Sequence, residues 1–207
     1  MKTYELKHIK PEELINASRL FIIDATTYKN SVTIKITNKN VAKFEELLKK
    51  IDVEKKSIRF KVYTILSLTE SEGKDEQKGI KDKGLKQVLS ELENLWGFKT
   101  YVIDNPFFIT VTEETGSNYF RLASKIYPFG IRIQNVNLNS DKPGERNITI
   151  GQIQLLRQYT DEDDLIFIDS KSVVIKEDGY LVVGASGLSF PSEGRVLILV
   201  ISAEVKD

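Results

Sequence analysis

Cysteine is absent from this 207-residue chain, and histidine and methionine occur once each. Without cysteine there are no disulfides, thiolate metal sites or cysteine nucleophiles. With His8 as the sole imidazole, histidine metal clusters and most general-base mechanisms lack their usual groups. Net charge is missing as well. Thirty basic residues balance thirty acidic ones, so bulk attraction to nucleic acid or an anionic membrane is not expected. Long apolar runs are also missing: Val196–Ile201 falls far short of the roughly 20 residues that span a bilayer. The opening MKTYELKHIKPEEL holds no signal-peptide core. A periplasmic or envelope location is therefore expected only if the native gene encodes a leader ahead of this sequence, and a cytoplasmic one otherwise.

What is present is the composition of a folded globular protein, 41% hydrophobic and 29% charged, long enough for one large domain or two small ones. Tyr4, Leu6 and His8 alternate as in a short strand, which makes His8 a partly buried strand residue. Pro11-Glu12-Glu13 opens a helix toward Leu20, with proline in the first turn and acids at the positive dipole end. Phe21–Ile23 reads as a strand and Thr26–Asn30 as a turn. Val32, Ile34 and Ile36 alternate in the next strand. A helix capped by Asn38 or Asn40 then carries Val41, Phe44, Leu47, Leu48 and Ile51 on one side. Ser57–Leu68 alternates again. The order is β-α-β-β-α-β, and residues 1–69 are assigned to an α/β domain.

Residues 70–84 are charged, glycine-containing and almost free of apolar side chains, and are taken as a linker or loop. Residues 85–207 begin with an amphipathic helix on Leu85, Val88, Leu89, Leu92 and Leu95, closed by Gly97. Short strands follow: Lys99–Ile103, Phe107–Glu113, Tyr119–Tyr127, Gly130–Leu138, Asn147–Arg157, Leu165–Ile168, Ser172–Lys176, Tyr180–Val183 and Val196–Val205. The fold class is α+β, its second part a mainly antiparallel sandwich or partly open barrel.

No catalytic, cofactor-binding or metal-ligating residue is assigned. Asp161–Asp164 lacks the spacing and turn glycine of a calcium loop, and Asp178-Gly179 reads as a hairpin turn rather than a phosphate cradle. Lys49, Lys50, Lys55, Lys56, Arg59 and Lys61 form the most basic neighbourhood, with Phe60 and Tyr63 interleaved. Such a strand could bind single-stranded nucleic acid or a small ligand, but Phe60 is in phase with Ile58 and Val62 and so faces the core. The basic side chains are therefore read first as a protein contact. Phe107, Phe108 and Phe129 stand beside turns and are candidate interface anchors.

Three stretches of the first third carry a resemblance: Tyr4-x-Leu6-Lys7-x-Ile9-x-Pro11-x-Glu13-Leu14, Asn30-Ser31-Val32-x-Ile34, and Val41-x-Lys43-x-Glu45-Glu46-Leu47-Leu48-Lys49-Lys50-Ile51-Asp52-Val53. Together they resemble the ring-building motif of secretin N-domains and related secretion-system ring proteins. The LLKKIDV ending before SIRFKVYTILS is the most specific part. Ser172–Gly184 and Leu197–Ala203 are similar to the late part of a secretin core, a Asp-Gly hairpin before an apolar terminal strand. The chain departs from that pattern in three ways: Ala185 replaces the second glycine, the terminal Thr-Pro is absent, and about 120 residues are too few for a full pore domain. It is more similar to uncharacterised bacterial envelope proteins of this two-part layout than to a full secretin. The resemblance implies a non-enzymatic assembly protein of the cell envelope. Its partners would be copies of itself or secretion-system components, without cofactor, nucleic acid or membrane span.

Overall fold

In the computed structural model the chain is described except for residues 68–79, 98–99, 115, 125–127, 141, 158–164, 189–194 and 207. Residues Met1–Lys55 and Lys56–Asp207 form two separate compact units.

The first unit is built from β1 (Lys2–Glu5), α1 (Pro11–Ser18), β2 (Ile22–Tyr28), β3 (Ser31–Ile36) and α2 (Asn38–Ile51). The strands form an antiparallel sheet in the order β1-β3-β2. Burial follows the sequence periodicities. Val32 and Ile34 from β3, Leu14 from α1 and Phe44 from α2 fill the core, with Leu6 and Ile9 from the loop between β1 and α1. Thr37, not an asparagine, stands at the N-cap of α2, and its side chain makes no capping bond. The backbone N–H of Asn40 instead reaches the Thr37 carbonyl at 2.9 Å. Strand β2 runs through the residues expected to turn, leaving Lys29-Asn30 as the turn. His8 lies beyond the end of β1 and is exposed, which corrects its reading as a partly buried strand residue.

Strand β4 (Ser57–Ser67) was expected to complete this first sheet, and it does not. It pairs with β12 (Arg195–Lys206) along its whole length, so the division falls at Lys55/Lys56 and not near residue 69. The physical reason is two-sided burial. Ile58, Phe60 and Val62 enter one core, while Tyr63 and Ile65 enter another under α3 (Lys83–Trp96). Only a central strand accommodates apolar residues on both faces. Lys83 and Gly84, placed in the linker by sequence, belong to α3. The rest of that linker, apart from Ile80–Asp82, lies outside the described residues, as does the Asp161–Asp164 cluster.

The second unit holds two antiparallel sheets around one core. The first has the order β11-β12-β4, with β11 (Tyr180–Leu188) at one edge. On the far side of β4 lie β5 (Tyr101–Ile103), beside Ile65–Ser67, and β6 (Phe107–Thr112), beside Ser57–Val62. The second sheet has the order β10-β9-β8-β7, from β7 (Ser117–Leu122), β8 (Phe129–Leu138), β9 (Asn147–Arg157) and β10 (Leu165–Lys176). Neither sheet closes into a barrel. Asp178-Gly179 does turn the chain, with Gly179 N–H bonding Lys176 O at 2.9 Å. It joins β10 to β11 across the two sheets, so it is not the hairpin expected of it.

The second sheet has a bend that its sequence conceals. Phe129, Ile131 and Ile133 are buried on β8, and then the phase switches to Val136. On β9 it switches from Ile148 and Ile150 to Ile153 and Leu155, and on β10 from Ile168 to Ile175. The switch falls on one cross-strand row, Asn135–Gly151–Ser172, where the register is unchanged but the pairing is interrupted. Asn135 and Ser172 both have φ of 53°. One left-handed residue in an extended strand turns the chain and inverts which face points inward. A Cβ on Gly151 would meet Asn135 Cβ at 2.9 Å, so the middle of the row must be glycine. The left-handed residues cost about 1–2 kcal/mol each. Straightening the strands would expose several core side chains worth about 1.5–3 kcal/mol apiece, so the bend is permanent architecture.

Candidate interaction surface

Two carboxylates fix the elements that carry the surfaces. Asp52, just past α2, accepts the backbone N–H of Lys7 (3.1 Å), His8 (2.7 Å) and Ile9 (3.2 Å). Burial alone would raise its pKa, but these three amides outweigh burial and hold it below the ordinary aspartate value. The loop before α1 is thereby tied to the end of α2, which accounts for an aspartate at the end of LLKKID.

Asp82 is the N-cap of α3 and bonds Leu85 N–H at 3.1 Å. Its other oxygen accepts the hydroxyls of Tyr63 (2.7 Å) and Tyr180 (2.6 Å) and the Lys61 ammonium. Burial pushes this carboxyl up, but bonds from Lys61, Tyr180, the Leu85 amide and Tyr63 win and drive it far below the ordinary value. Both phenols are pushed well above theirs, chiefly by burial and then by the hydrogen bond to the carboxylate. A Cβ at Gly84 would fall 2.2 Å from the Tyr180 ring, so glycine is what lets α3 approach β11. Beside this node lies a cleft of about 550 Å³, lined by Ile80, Leu85, Val102, Ile103, Pro106 and Asp104 among others. Asp104 is itself bonded to Thr64 Oγ1 at 2.6 Å and to Ser124. Donors already surround both carboxylates. They act as staples, not as free acids.

The residues singled out by sequence do not form one surface. Lys49 and Lys50 are exposed on α2 of the first unit, whereas Lys56, Arg59 and Lys61 belong to the second. Lys61 is committed to Asp82. Phe129 is 1% exposed and packs in the core against Phe167, which corrects its assignment as an interface anchor. The backbone places Phe129 at the inward phase of β8, and adjacency to Pro128 did not reveal that phase. Phe107 also leans on the core. Phe108 alone of the three is exposed, at 52%, and it stacks under the Arg59 guanidinium at 4.3 Å.

Sequence reasoning missed the sheet edges. Strand β6 (FFITVT) carries no charge and no proline, and among the described residues it pairs only with β4. Natural proteins normally protect such an edge with charge, proline or a cover. β5, β7, β10 and β11 are the other edges of the second unit. β10 lies beside β11, where Ser170 Oγ donates to Val183 O at 2.8 Å, and β6 leads directly into β7. The unit therefore has two flanks, each formed by one edge from either sheet.

No family model matches this chain, and no curated protein matches it. Solved structures do. The type II secretin GspD of enteropathogenic Escherichia coli superposes with a TM-score of 0.54 at 10% identity, over 100% of this chain and 87% of that one. ExeD of Aeromonas hydrophila gives 0.58 at 13% identity, over 99% of this chain and 60% of its own. The type IV competence pilus secretin PilQ of V. cholerae gives 0.50 at 10% identity, over 99% and 76%. At such identities the likeness concerns the fold alone: the chain has a secretin-like fold.

Proposed function

We propose that this protein is a non-enzymatic assembly subunit of the bacterial envelope, related to secretion systems, whose copies join edge to edge into a ring. The observation that carries the reading is the parity of two four-strand paths, one in each sheet, with β5 sharing the far side of β4 with β6. β11-β12-β4-β6 and β10-β9-β8-β7 each contain four successively antiparallel strands. The last strand of each therefore runs opposite to the first, and an identical copy placed alongside continues both sheets with the alternation unbroken. Such a contact is heterologous, and copies related by one rotation close into a ring. The fold shared with type II and competence-pilus secretins supports an envelope and secretion-system setting, as an accessory or shortened relative. No helix among the described residues is long and apolar enough to cross a membrane.

The absence of native cysteine makes the test direct. Thr110→Cys on β6, combined with single cysteines placed along Val182–Ser186 of β11, should give disulfide-linked ladders under mild oxidation. Light scattering should report species larger than a dimer. A strict monomer at high concentration, with no ladder from any pair, would sink the reading. The Lys49–Lys61 nucleic-acid alternative is not carried forward, because Phe60 is fully buried and Lys61 is bonded to Asp82.

A further inference from the structure

The two edges of the second sheet, β7 and β10, carry a register code of their own. On the outward face of the second sheet, cross-strand rows run from edge to edge. One is Tyr119–Arg132–Gln154–Asp169, and the next is Ser117–Gln134–Gln152–Lys171. Within a copy these rows are knit by Arg132 Nη1 to Gln154 Oε1 (3.1 Å) and Gln152 Nε2 to Asp169 Oδ1 (2.7 Å). Arg121 on β7 and Lys171 on β10 are exposed, and among the described residues neither has an ion-pair partner. Asp169 is exposed too, with one carboxylate oxygen used by Gln152. Tyr119 spreads its ring over Gly130, where a Cβ would lie 2.2 Å from its hydroxyl, and so presents a fixed aromatic face at the β7 edge.

Resting on the edge-to-edge reading, we infer that the β10 edge of one copy pairs with the β7 edge of a second copy in a single register, Asp169 opposite Arg121. Antiparallel pairing then places Lys171 opposite Tyr119. Both couples suit the short separation of directly opposed residues, one an ion pair and the other an ammonium against a ring. On the inward face the same register sets Ile168 opposite Leu122, two side chains of the core. The neighbouring registers are penalised. Shifting by one pair in one direction opposes Lys171 to Arg121, two like charges. Shifting the other way places Asp169 against Tyr119 and leaves Arg121 without an acid. Charge on these two edges selects against the wrong alignments, while the uncharged β6 edge supplies none of that discrimination.

The test is a charge swap on the full chain. Arg121→Asp and Asp169→Arg should each reduce the assembled fraction, read by light scattering, at least tenfold at fixed concentration, and the double swap should restore it. Arg121→Cys with Asp169→Cys should yield an intermolecular ladder, whereas Tyr119→Cys with Asp169→Cys should yield far less. Circular dichroism melting checks that the variants fold, as expected for exposed positions. Assembly that ignores both reversals, or a ladder that favours the Tyr119→Cys pair, overturns the register while the β6–β11 ladder still upholds edge-to-edge assembly. Loss of the β6–β11 ladder in otherwise unaltered chains overturns both.

Discussion

Asp52 and Asp82 both stand at helix ends, yet they fasten their units in opposite ways. In the first unit the carboxylate gathers three consecutive backbone amides of one loop, a local clasp within a small core. In the second it gathers side chains from β4 and β11 and the first turn of α3, a cross-link among elements as far apart in sequence as Lys61 and Tyr180. Charge follows the same divide. Met1–Lys55 has eleven basic residues against eight acidic, and Lys56–Asp207 has nineteen against twenty-two. The neutral total conceals a positive unit joined to a negative one. A local clasp suffices for a small unit with one compact core. Distributed cross-links suit a unit whose sheets must stay rigid while their edges are exposed.

If the two units are independent, damage to one core should leave the other intact. Phe60→Ala, in the core between the two sheets, should cost about 3–5 kcal/mol. Hydrogen exchange should then show lost protection in β4, β9 and β12, with β3 and α2 unchanged. A joint loss in both units would break the comparison. Asp82→Ala should cost about 2–3 kcal/mol in the second unit, because it removes a cap and strands an ammonium, the buried Tyr63 phenol and the half-buried Tyr180 phenol. Asp82→Asn should cost less, since it keeps acceptor capacity.

Asp52→Ala should cost about 1–2 kcal/mol and act locally, exposing the amides of Lys7, His8 and Ile9 to exchange. Both aspartates have lowered folded pKa values. Their stabilisation is therefore fully present above the ordinary value of 3.8 and is lost as pH falls below it through the folded value. Because Asp82 lies further down, acid should release the Lys7–Ile9 loop before α3, a sequence that amide exchange across falling pH would order. The smallest effect is a gain. Ser172→Gly should stabilise the second unit by about 0.5–1 kcal/mol by relieving a left-handed residue, and an unchanged melting midpoint would contradict the reading of the bend as locally strained.

Much of the fold was legible because helices and half-buried strands write their periods into the chain. Val32–Ile36, the face of α2, the Pro11 start, the Gly97 stop and Asn147–Arg157 all lie where alternation or capping put them. Ser57–Leu68 was legible as a strand but not as a partner of β12, since its apolar run says only that both faces are covered. The candidate surface was less legible still. Phe108 and Arg59 were singled out, but their stacking, the burial of Phe129 and the capture of Lys61 by Asp82 depend on residues distant in sequence.

By itself the sequence determined the class of the molecule: an α+β chain without thiols, with one imidazole, amphipathic helices and many short strands. Its motifs also carried the resemblance to secretins that the solved structures share at the level of the fold. Tertiary structure alone decided where the units divide, which strands became free edges, and that the path β11-β12-β4-β6 and the second sheet each run through four successively antiparallel strands. Strand order and edge exposure are properties of long-range pairing. Period-two alternation is the same whether a strand lies in the middle of a sheet or at its rim.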